Sequence, residues 1–344
     1  MAPAVAWEPV RPLRVPPPVL RRVALALLVS LVAVSVIGAV VRLTGSGLGC
    51  STWPNCEPDS FTPRSASDGH AMVEFTNRLV NAAVGLLGVA AVVGALRRDP
   101  RRSDLVRWAL ATFAWIAGNG LVGALVVWLH LAPVSVIAHF VLALGAIWSG
   151  LQLYARTGDD RAPDRPRRAT ATPRFVAAVR ALTVAAGLVL VSGTIVTGSG
   201  PHAGDERADR LDLAIDDVAR AHGVSMVLFL ALTLYVAHRA RRGDAGPGVV
   251  RRTHELLGVI VAQGALGYWQ YFAGIPAWLV GFHVLGALLV WLAVLRLWLA
   301  LSEPAGAGAE EPGALPADRG AALGASAAQP AAPGRGAGAH PATT

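Results

Sequence analysis

The stretch that decides the fold is Trp278–Trp291, WLVGFHVLGALLVW. It predicts an apolar membrane helix that carries one histidine, His283, close to its start. An imidazole inside a membrane costs free energy unless it has a partner, so such a histidine is by default a functional candidate. The segment therefore predicts both a membrane-embedded helix and a functional site within it.

The same segment has a copy earlier in the chain. A shift of 144 positions, without a gap, places His283 on His139. The matched pairs around it are Gly264 with Gly120, Gly267 with Gly123, Val280 with Val136, Ala287 with Ala143, and Leu288 with Leu144. The chain is rich in Ala, Gly, Val and Leu, so the shared histidine carries more weight than the shared apolar residues. The match indicates an internal repeat.

Composition indicates a membrane protein. Hydrophobic residues make up 54% of the 344 residues and charged residues only 15%, a balance that favours membrane spans over two soluble domains. The basic residues are all arginine, and they cluster between long apolar runs. We therefore interpret the net charge of +8 as a topology signal and expect no nucleic-acid partner.

Eight apolar runs are long enough to cross a bilayer, which takes about 20 helical residues. The first of them is also compatible with a signal peptide, but it is long for one and no clear cleavage site follows. We therefore predict an all-α integral membrane protein with eight transmembrane helices. The predicted spans are 23–41, 71–96, 105–129, 134–155, 175–197, 218–237, 256–273 and 278–298.

Arginines are distributed unevenly among the loops. The even-numbered loops, 97–107, 156–180 and 239–252, hold most of them, whereas the odd-numbered loops hold few and the fifth is acidic. The positive-inside rule then places both termini in the cytoplasm. We expect a multi-pass protein of the cell membrane, with the lipid bilayer around its spans.

The eight spans divide into two sets of four with one plan. Thr44–Gly47 ends the first span, and the same four residues, Thr197–Gly200, end the fifth. Because four is even, both sets enter the membrane in the same direction, as parallel four-helix repeats. The predicted domains are a cytoplasmic N-terminal segment (1–22), a first four-helix bundle (23–155), a cytoplasmic linker (156–174), a second bundle (175–301) and a disordered tail (302–344).

Four polar residues occupy matching places in the two sets. A shift of 145 positions lays His222 on Asn77, beside the match of His283 with His139. All four lie about four to six residues into inward-running spans, at one depth of roughly 6–9 Å. Two histidines at one depth can bind a haem iron from opposite faces of the porphyrin, and His222 with His283 is the complete pair. The alternative is that each histidine only hydrogen-bonds to a neighbouring helix.

The first set departs from this symmetry at Asn77. Glu74 lies one turn earlier on the same helical face, where the second set has Ala219. A site with one histidine can leave an iron position open for chemistry, and a buried carboxyl beside it can handle protons. The alternative for Glu74 is an ion pair with Arg78 that holds the helix end.

Cys50 and Cys56 are the only two cysteines. They can form one disulfide or supply half of a zinc site. In a loop outside the cytoplasm the disulfide is the better interpretation.

Several distinctive segments are spread over residues 20–300: GAVVRLTGSGLGC (38–50) with WPNC (53–56), EFTNR (74–78), GSGPHAGD (198–205) and QGALGYWQY (263–271). Together they resemble the signatures of the haem A synthase family. The resemblance implies an oxidoreductase that converts the C8 methyl of haem O to the formyl group of haem A by successive hydroxylations, for cytochrome oxidase assembly. It also implies a bound haem b as cofactor and the haem O synthase, a protohaem farnesyltransferase, as a partner; the electron acceptor stays unknown.

By motif position the resemblance implies a role for each site residue. His222 and His283 correspond to the haem b iron ligands, His139 and the catalytic Glu74 to the substrate haem site, and Cys50 with Cys56 to the family's loop cysteine pair. Asn77 departs from the histidine of many relatives and would at best hydrogen-bond to an axial water.

Three further residues suit contacts at the haem edges. Arg42 and Arg78 are near the outer surface and can bind propionates through two hydrogen bonds each, with snorkelling to the interface as the alternative. His202 lies in the loop above the proposed haem b, where it can contact a propionate or relay protons.

Two other functions stay open: a haem b electron carrier between quinone and a redox partner, and a parallel-repeat transporter without pigment.

Overall fold

Eight long helices account for most of the protein in a computed structural model that describes residues 14–65, 67–158 and 167–304. The predicted N-terminal segment up to residue 13 and the predicted tail from residue 305 lie outside the described residues. The helices are α1 Pro17–Leu43, α2 Gly69–Leu96, α3 Ser103–Trp128, α4 Pro133–Thr157, α5 Pro173–Ser199, α6 Ile215–Arg239, α7 Pro247–Phe272 and α8 Ala277–Leu299.

Two short features complete the described chain. A π-helical turn, Ala240–Asp244, follows α6. Two three-residue strands, β1 Arg167–Ala169 and β2 Ser302–Pro304, pair antiparallel and join the segment before α5 to the segment after α8.

Prolines and polar caps set where several helices begin. Proline occupies the first turn of α1, α4, α5 and α7, where its missing N–H removes no helical hydrogen bond. Asp68 caps α2 by accepting the N–H of Ala71, and Thr172 caps α5 by accepting the N–H of Phe175. These start signals lie ahead of the apolar runs, so the helices extend beyond the predicted spans.

Within the described ranges, seven helices, all except α7, are long and apolar enough to cross a membrane. The all-helical, multi-pass membrane architecture is therefore confirmed. α7 begins nine residues before the predicted span 256–273, and its first turns carry Arg251, Arg252 and Glu255. These charged turns lower the mean hydropathy of α7. Seven of the eight predicted spans therefore coincide with a helix that is apolar enough to cross a membrane, and α7 is the exception.

Neighbouring helices pack in chain order, and α8 joins the two sets. α1 contacts α2 and α4, α5 contacts α6 and α8, and α3 packs on α4 as α7 packs on α8. α8 also packs on α1 and α4, where Nε1 of Trp291 donates to the carbonyl of Leu144 at 3.1 Å. One core cluster surrounds Leu27 and Ile147, and a second surrounds Phe229. The polar residues of the predicted site lie toward the helix ends beyond these cores.

A small cluster of loop residues ties the end of α1 to the segment after α5. The N–H of Gly47 donates to the carbonyl of Gly204 at 2.9 Å, and Leu131 packs against both glycines. Gly204 has a φ of +106°, a conformation that favours glycine, and a Cβ there would lie 3.1 Å from the Leu131 side chain. The GSGPHAGD segment therefore needs this glycine to close against the first loop.

Candidate functional site

Each of the three predicted membrane histidines packs against a glycine of the preceding helix. A Cβ added to these glycines would lie 3.0 to 3.2 Å from Cε1 of the ring, which is closer than ordinary van der Waals contact. The glycines therefore leave the space that the imidazole rings occupy. The pairs are His139 with Gly123, His222 with Gly193, and His283 with Gly267.

The two ring nitrogens of these histidines have different surroundings. Nδ1 of His222 lies 2.8 Å from Oγ of Ser192. Nδ1 of His139 and Nδ1 of His283 are buried and have no hydrogen-bond partner in the described part of the chain. Across the described ranges, no group hydrogen-bonds to Nε2 of any of the three. Each ring therefore keeps its Nε2 available for a ligand.

A side-chain amide holds the backbone at two of the histidines. Asn119 of α3 donates to the carbonyl of His139 at 3.1 Å, and Gln263 of α7 donates to the carbonyl of His283 at 2.9 Å. Gly286 provides the room for the longer Gln263, because a Cβ there would lie 1.8 Å from its Oε1. Neither amide is among the site residues predicted from the sequence, although the two are also separated by 144 positions.

The structure brings His222 and His283 near each other. His222 lies close enough to His283 for an electrostatic interaction between the rings. No group of three or more His, Cys, Asp or Glu side chains that could hold a metal occurs in the part of the chain that the structure describes. Two nearby imidazoles without a third protein ligand suit an iron whose remaining ligands come from a porphyrin.

Asn77 makes its contacts within its own helix. Nδ2 of Asn81, one turn later on α2, donates to the carbonyl of Asn77 at 2.8 Å and to its Oδ1 at 3.3 Å. The amide group of Asn77 donates to no other described residue. Its two N–H bonds are therefore open to a water or a ligand.

Glu74 is buried at the start of α2, and both its carboxylate oxygens have partners. Its exposed fraction is 4%. Oε1 accepts from Nη2 and Nε of Arg78 at 2.5 and 3.2 Å, so the ion pair weighed as an alternative is present. Oε2 accepts from the N–H of Cys50 at 2.7 Å. Arg78 also donates to the carbonyls of Thr52 and Asn55, so this pair fastens α2 to the loop 50–56.

Cys50 and Cys56 form the disulfide that the sequence predicted. Both are fully buried beneath Ala71 and Phe75 at the start of α2. Since both thiols are used, the zinc alternative is excluded for this loop. The disulfide closes the same loop that the Glu74–Arg78 pair binds.

Arg42 connects the two sets of helices at the loop cluster, whereas His202 binds the α7–α8 turn within the second set. Arg42 donates to the carbonyl of Thr197 at 2.5 Å, while its buried Nε has no partner. Nε2 of His202 lies 3.0 Å from the carbonyl of Ile275, so this nitrogen carries the proton. Arg42 therefore has a donor to spare for an anionic group, whereas His202 is bonded to the turn.

The GPHAGD loop also contains an ion pair outside the membrane-spanning helices. Arg207 donates from Nε to Oδ1 of Asp205 at 2.9 Å. This hydrogen bond holds the pKa of Asp205 below its usual value. Asp205 therefore stays ionised at neutral pH beside the loop cluster.

Comparisons with known proteins agree with these features. A family model described as cytochrome oxidase assembly protein (COX15-CtaA) matches residues 21–203, more than half of the chain. A heme A synthase of Symbiobacterium thermophilum is 39% identical over 127 residues, which are 36% of this chain and 40% of that protein. A heme A synthase of a Methylobacterium species is 28% identical over 325 residues, which cover 77% of this chain and 86% of that protein.

A further relative has a different name. A protoheme IX farnesyltransferase of Thermus thermophilus is 33% identical over 136 residues, 34% of this chain but only 22% of that protein. The chain thus spans less than half the length of the Symbiobacterium and Thermus proteins and most of the length of the Methylobacterium protein. The family model covers the disulfide loop, the Glu74–Arg78 pair and His139. The resemblance to the haem A synthase family is confirmed, and the chain belongs to the COX15-CtaA family of cytochrome oxidase assembly proteins.

Proposed function

We propose that this protein is a haem A synthase, an oxidoreductase that converts the C8 methyl of haem O to the formyl group of haem A for cytochrome oxidase assembly. Membership of the family and the two heme A synthase relatives support this reaction. The structural observation that carries it is the pair His222 and His283, whose Nε2 atoms have no hydrogen-bond partner among the described residues and whose rings pack against glycines.

The second set of helices holds haem b. His222 and His283 would hold its iron, and Gly193 with Gly267 leaves the rings the space they need. When bound, haem b supplies one-electron redox chemistry, and a bis-histidine iron suits electron transfer. Gln263 fixes the backbone of His283, and the bond from His202 to Ile275 secures the turn that precedes α8.

The first set of helices holds the substrate haem O. His139 is its one histidine ligand, and Asn119 fixes the backbone at that position. Asn77 offers its amide hydrogens to a water on the other face of the substrate iron. One face of the substrate therefore lacks a protein imidazole, which leaves room for chemistry that a bis-histidine site excludes.

Glu74 is the acid–base residue of the substrate site. Its carboxylate is buried near Asn77 and is held by Arg78 and by the N–H of Cys50. A carboxylate held in this way accepts a proton when the ion pair with Arg78 opens. Arg42, with its unpartnered Nε, binds a propionate.

The membrane arrangement is two parallel repeats of four spans, 23–155 and 175–301, joined by the linker 156–174. The shared spacing of 144 for the histidines, their glycines and their amide donors supports the repeat. α7 is the seventh of these eight spans, and the aromatic belt at its end, typical of a membrane interface, supports its place in the membrane. The exposed belt residues are Tyr268, Trp269, Tyr271 and Phe272.

The protein lies in the cell membrane, and its two terminal segments, 1–22 and 302–344, are in the cytoplasm. The arginine-rich loops 97–107, 156–180 and 239–252 support this orientation through the positive-inside rule.

The partner is the farnesyltransferase that makes haem O. A Thermus protein named for that reaction contains a segment similar to this chain, which supports a shared handling of the haem.

The reaction is tested in cells that express this chain together with a source of haem O. We expect haem A in the pigments extracted from their membranes. A correctly inserted protein whose membranes yield only haems B and O contradicts the proposal. If that protein still carries a haem b spectrum, the electron-carrier alternative is favoured.

A further inference from the structure

The hydroxyl of Ser192 lies at the centre of a hydrogen-bond network between α5 and α6. Its Oγ is 2.8 Å from Nδ1 of His222 and 2.8 Å from the carbonyl of Val189, one turn earlier on α5. Oγ of Ser225 lies 3.2 Å from the same hydroxyl and donates to the carbonyl of His222 at 2.7 Å. Two serines therefore hold the ring and the backbone of one histidine.

The number of hydroxyl protons decides the direction of these bonds. When each hydroxyl donates to the carbonyl beside it, Ser225 to His222 and Ser192 to Val189, both hydroxyl protons are used. In this arrangement only lone pairs of Ser192 remain for the ring, and Nδ1 of His222 carries the N–H. The Val189 carbonyl also faces the ring, and it too requires an N–H.

This tautomer leaves the lone pair on Nε2. A neutral imidazole has one N–H, and the nitrogen that binds a metal is set by the hydrogen bond of the other nitrogen. His222 therefore has the tautomer that binds iron through Nε2 already in the haem-free protein.

The other two membrane histidines lack this support. Among the described residues, no side chain hydrogen-bonds to Nδ1 of His139 or to Nδ1 of His283. The Asn119 backbone faces the His139 ring, as the Val189 carbonyl faces that of His222. Of the three, His222 is thus the one whose tautomer is set by a side chain in the described part of the protein.

We propose that Ser192 is a positioning residue that fixes His222 as the Nδ1–H tautomer and strengthens it as an iron ligand, so that the two histidines that would hold haem b are unequal. The inference rests on the proposed function, because it takes His222 and His283 as the haem b ligands. A hydrogen bond from Nδ1–H to an oxygen makes the imidazole a better electron donor and favours ferric iron. The loss of such an outer partner typically costs 10- to 100-fold in metal affinity.

The test compares full-length protein, purified in detergent, with the variants Ser192→Ala, Ser192→Thr and Thr183→Val. Haem retention, the midpoint potential and the low-spin ferric resonance spectrum are measured for each. Ser192→Ala is expected to weaken haem binding roughly 10- to 100-fold and to raise the midpoint potential. Ser192→Thr keeps the hydroxyl and restores both values. Thr183→Val loses an α5 hydroxyl that, among the described residues, bonds to the Val179 carbonyl alone, and it behaves as wild type.

Two results overturn the proposal for Ser192 alone. The first is a Ser192→Ala protein whose haem affinity and potential equal those of the wild type. The second is a Ser192→Thr protein that changes as much as Ser192→Ala, since packing and not the hydroxyl would then be responsible. A wild-type protein without a low-spin bis-histidine spectrum overturns the haem b site itself, so the two failures are distinguishable.

Discussion

Asn119 and Gln263 make the same contact in the two halves of the protein. Each donates a side-chain N–H to the backbone carbonyl of the histidine 20 residues further along the chain, His139 and His283. A buried amide that bridges two membrane helices fixes how far one can slide along the other. The two amides therefore hold α3 on α4 and α7 on α8 at matching registers.

The first prediction uses the difference between these amides. We expect Gln263→Ala to change the haem b spectrum and weaken haem retention, because Gln263 positions the His283 backbone. We expect Asn119→Ala to reduce haem A formation while the haem b spectrum stays as in the wild type. Optical spectra of the purified proteins and extracted pigments from cells check both. Equal spectral changes in the two variants would contradict the assignment of separate haem sites.

The second prediction concerns the space for Gln263. Gly286→Ala places a Cβ 1.8 Å from Oε1 of Gln263, so the amide must move and lose its bond to His283. We expect a loss of about 1–3 kcal/mol in stability, the usual cost of leaving buried polar groups unpaired. Thermal unfolding with haem absorbance as the readout measures it.

The matched control for this change is Gly281→Ala. A Cβ at Gly281 would lie 3.5 Å from Cδ1 of Leu43, an ordinary contact. We expect its melting temperature to stay near that of the wild type. Equal melting temperatures for both alanine variants would show that the Gln263 contact is not stabilising.

The third prediction concerns the charge of Glu74. Glu74→Gln keeps the size of the side chain but removes the carboxylate that Arg78 and the Cys50 N–H bind. We expect haem A formation to fall at least tenfold, since general acid–base groups contribute about 10²–10⁴-fold. The haem b spectrum should stay intact. Pigment extraction beside the optical spectrum measures both.

A matched control for Glu74 lies in the same loop region. Glu57 forms an ion pair with Arg64 outside the buried site, so Glu57→Gln should leave haem A formation unchanged. If Glu74→Gln forms haem A at the wild-type rate, Glu74 has no acid–base role and serves only to bind the loop.

The fourth prediction concerns the disulfide. A Cys50→Ser, Cys56→Ser double variant lacks this bond, so the loop 50–56 is free to move. A backbone N–H of this loop binds Glu74, and two of its carbonyls bind Arg78. We expect a loss of about 2 kcal/mol in stability, at the lower end of the usual range because the closed loop is short. We also expect a lower rate of haem A formation. Unchanged activity in a protein with a lowered melting temperature would limit the disulfide to a structural role.

The sequence predicted the helices and the histidines because both leave strong local signals. Apolar runs and arginine-rich loops mark membrane helices directly, and a histidine stands out in an apolar segment. α7 begins nine residues before the predicted span 256–273, because its first turns are charged and charge is what ends an apolar run. Pro247 is the signal that marks the true start.

The partners of the histidines left weaker signals. Asn119 and Gln263 differ in length, so a comparison for identical residues passes over them, although their shared spacing of 144 would have found the pair. Ser192 gives no sequence signal, since a helical serine usually bonds to its own backbone. The contact of Glu74 with the Cys50 N–H depends on how the loop folds back on α2, which spacing alone does not determine.

The central claim is that His222 and His283 bind one haem b, and a pyridine haemochrome spectrum of the purified protein tests it most directly. The measurement compares the wild type with His283→Ala, with Thr183→Val as a folded control. We predict a b-type haem in the wild type and in the control, and its loss from His283→Ala. A His283→Ala protein that retains the wild-type amount of haem b, with an unchanged low-spin spectrum, would contradict the account.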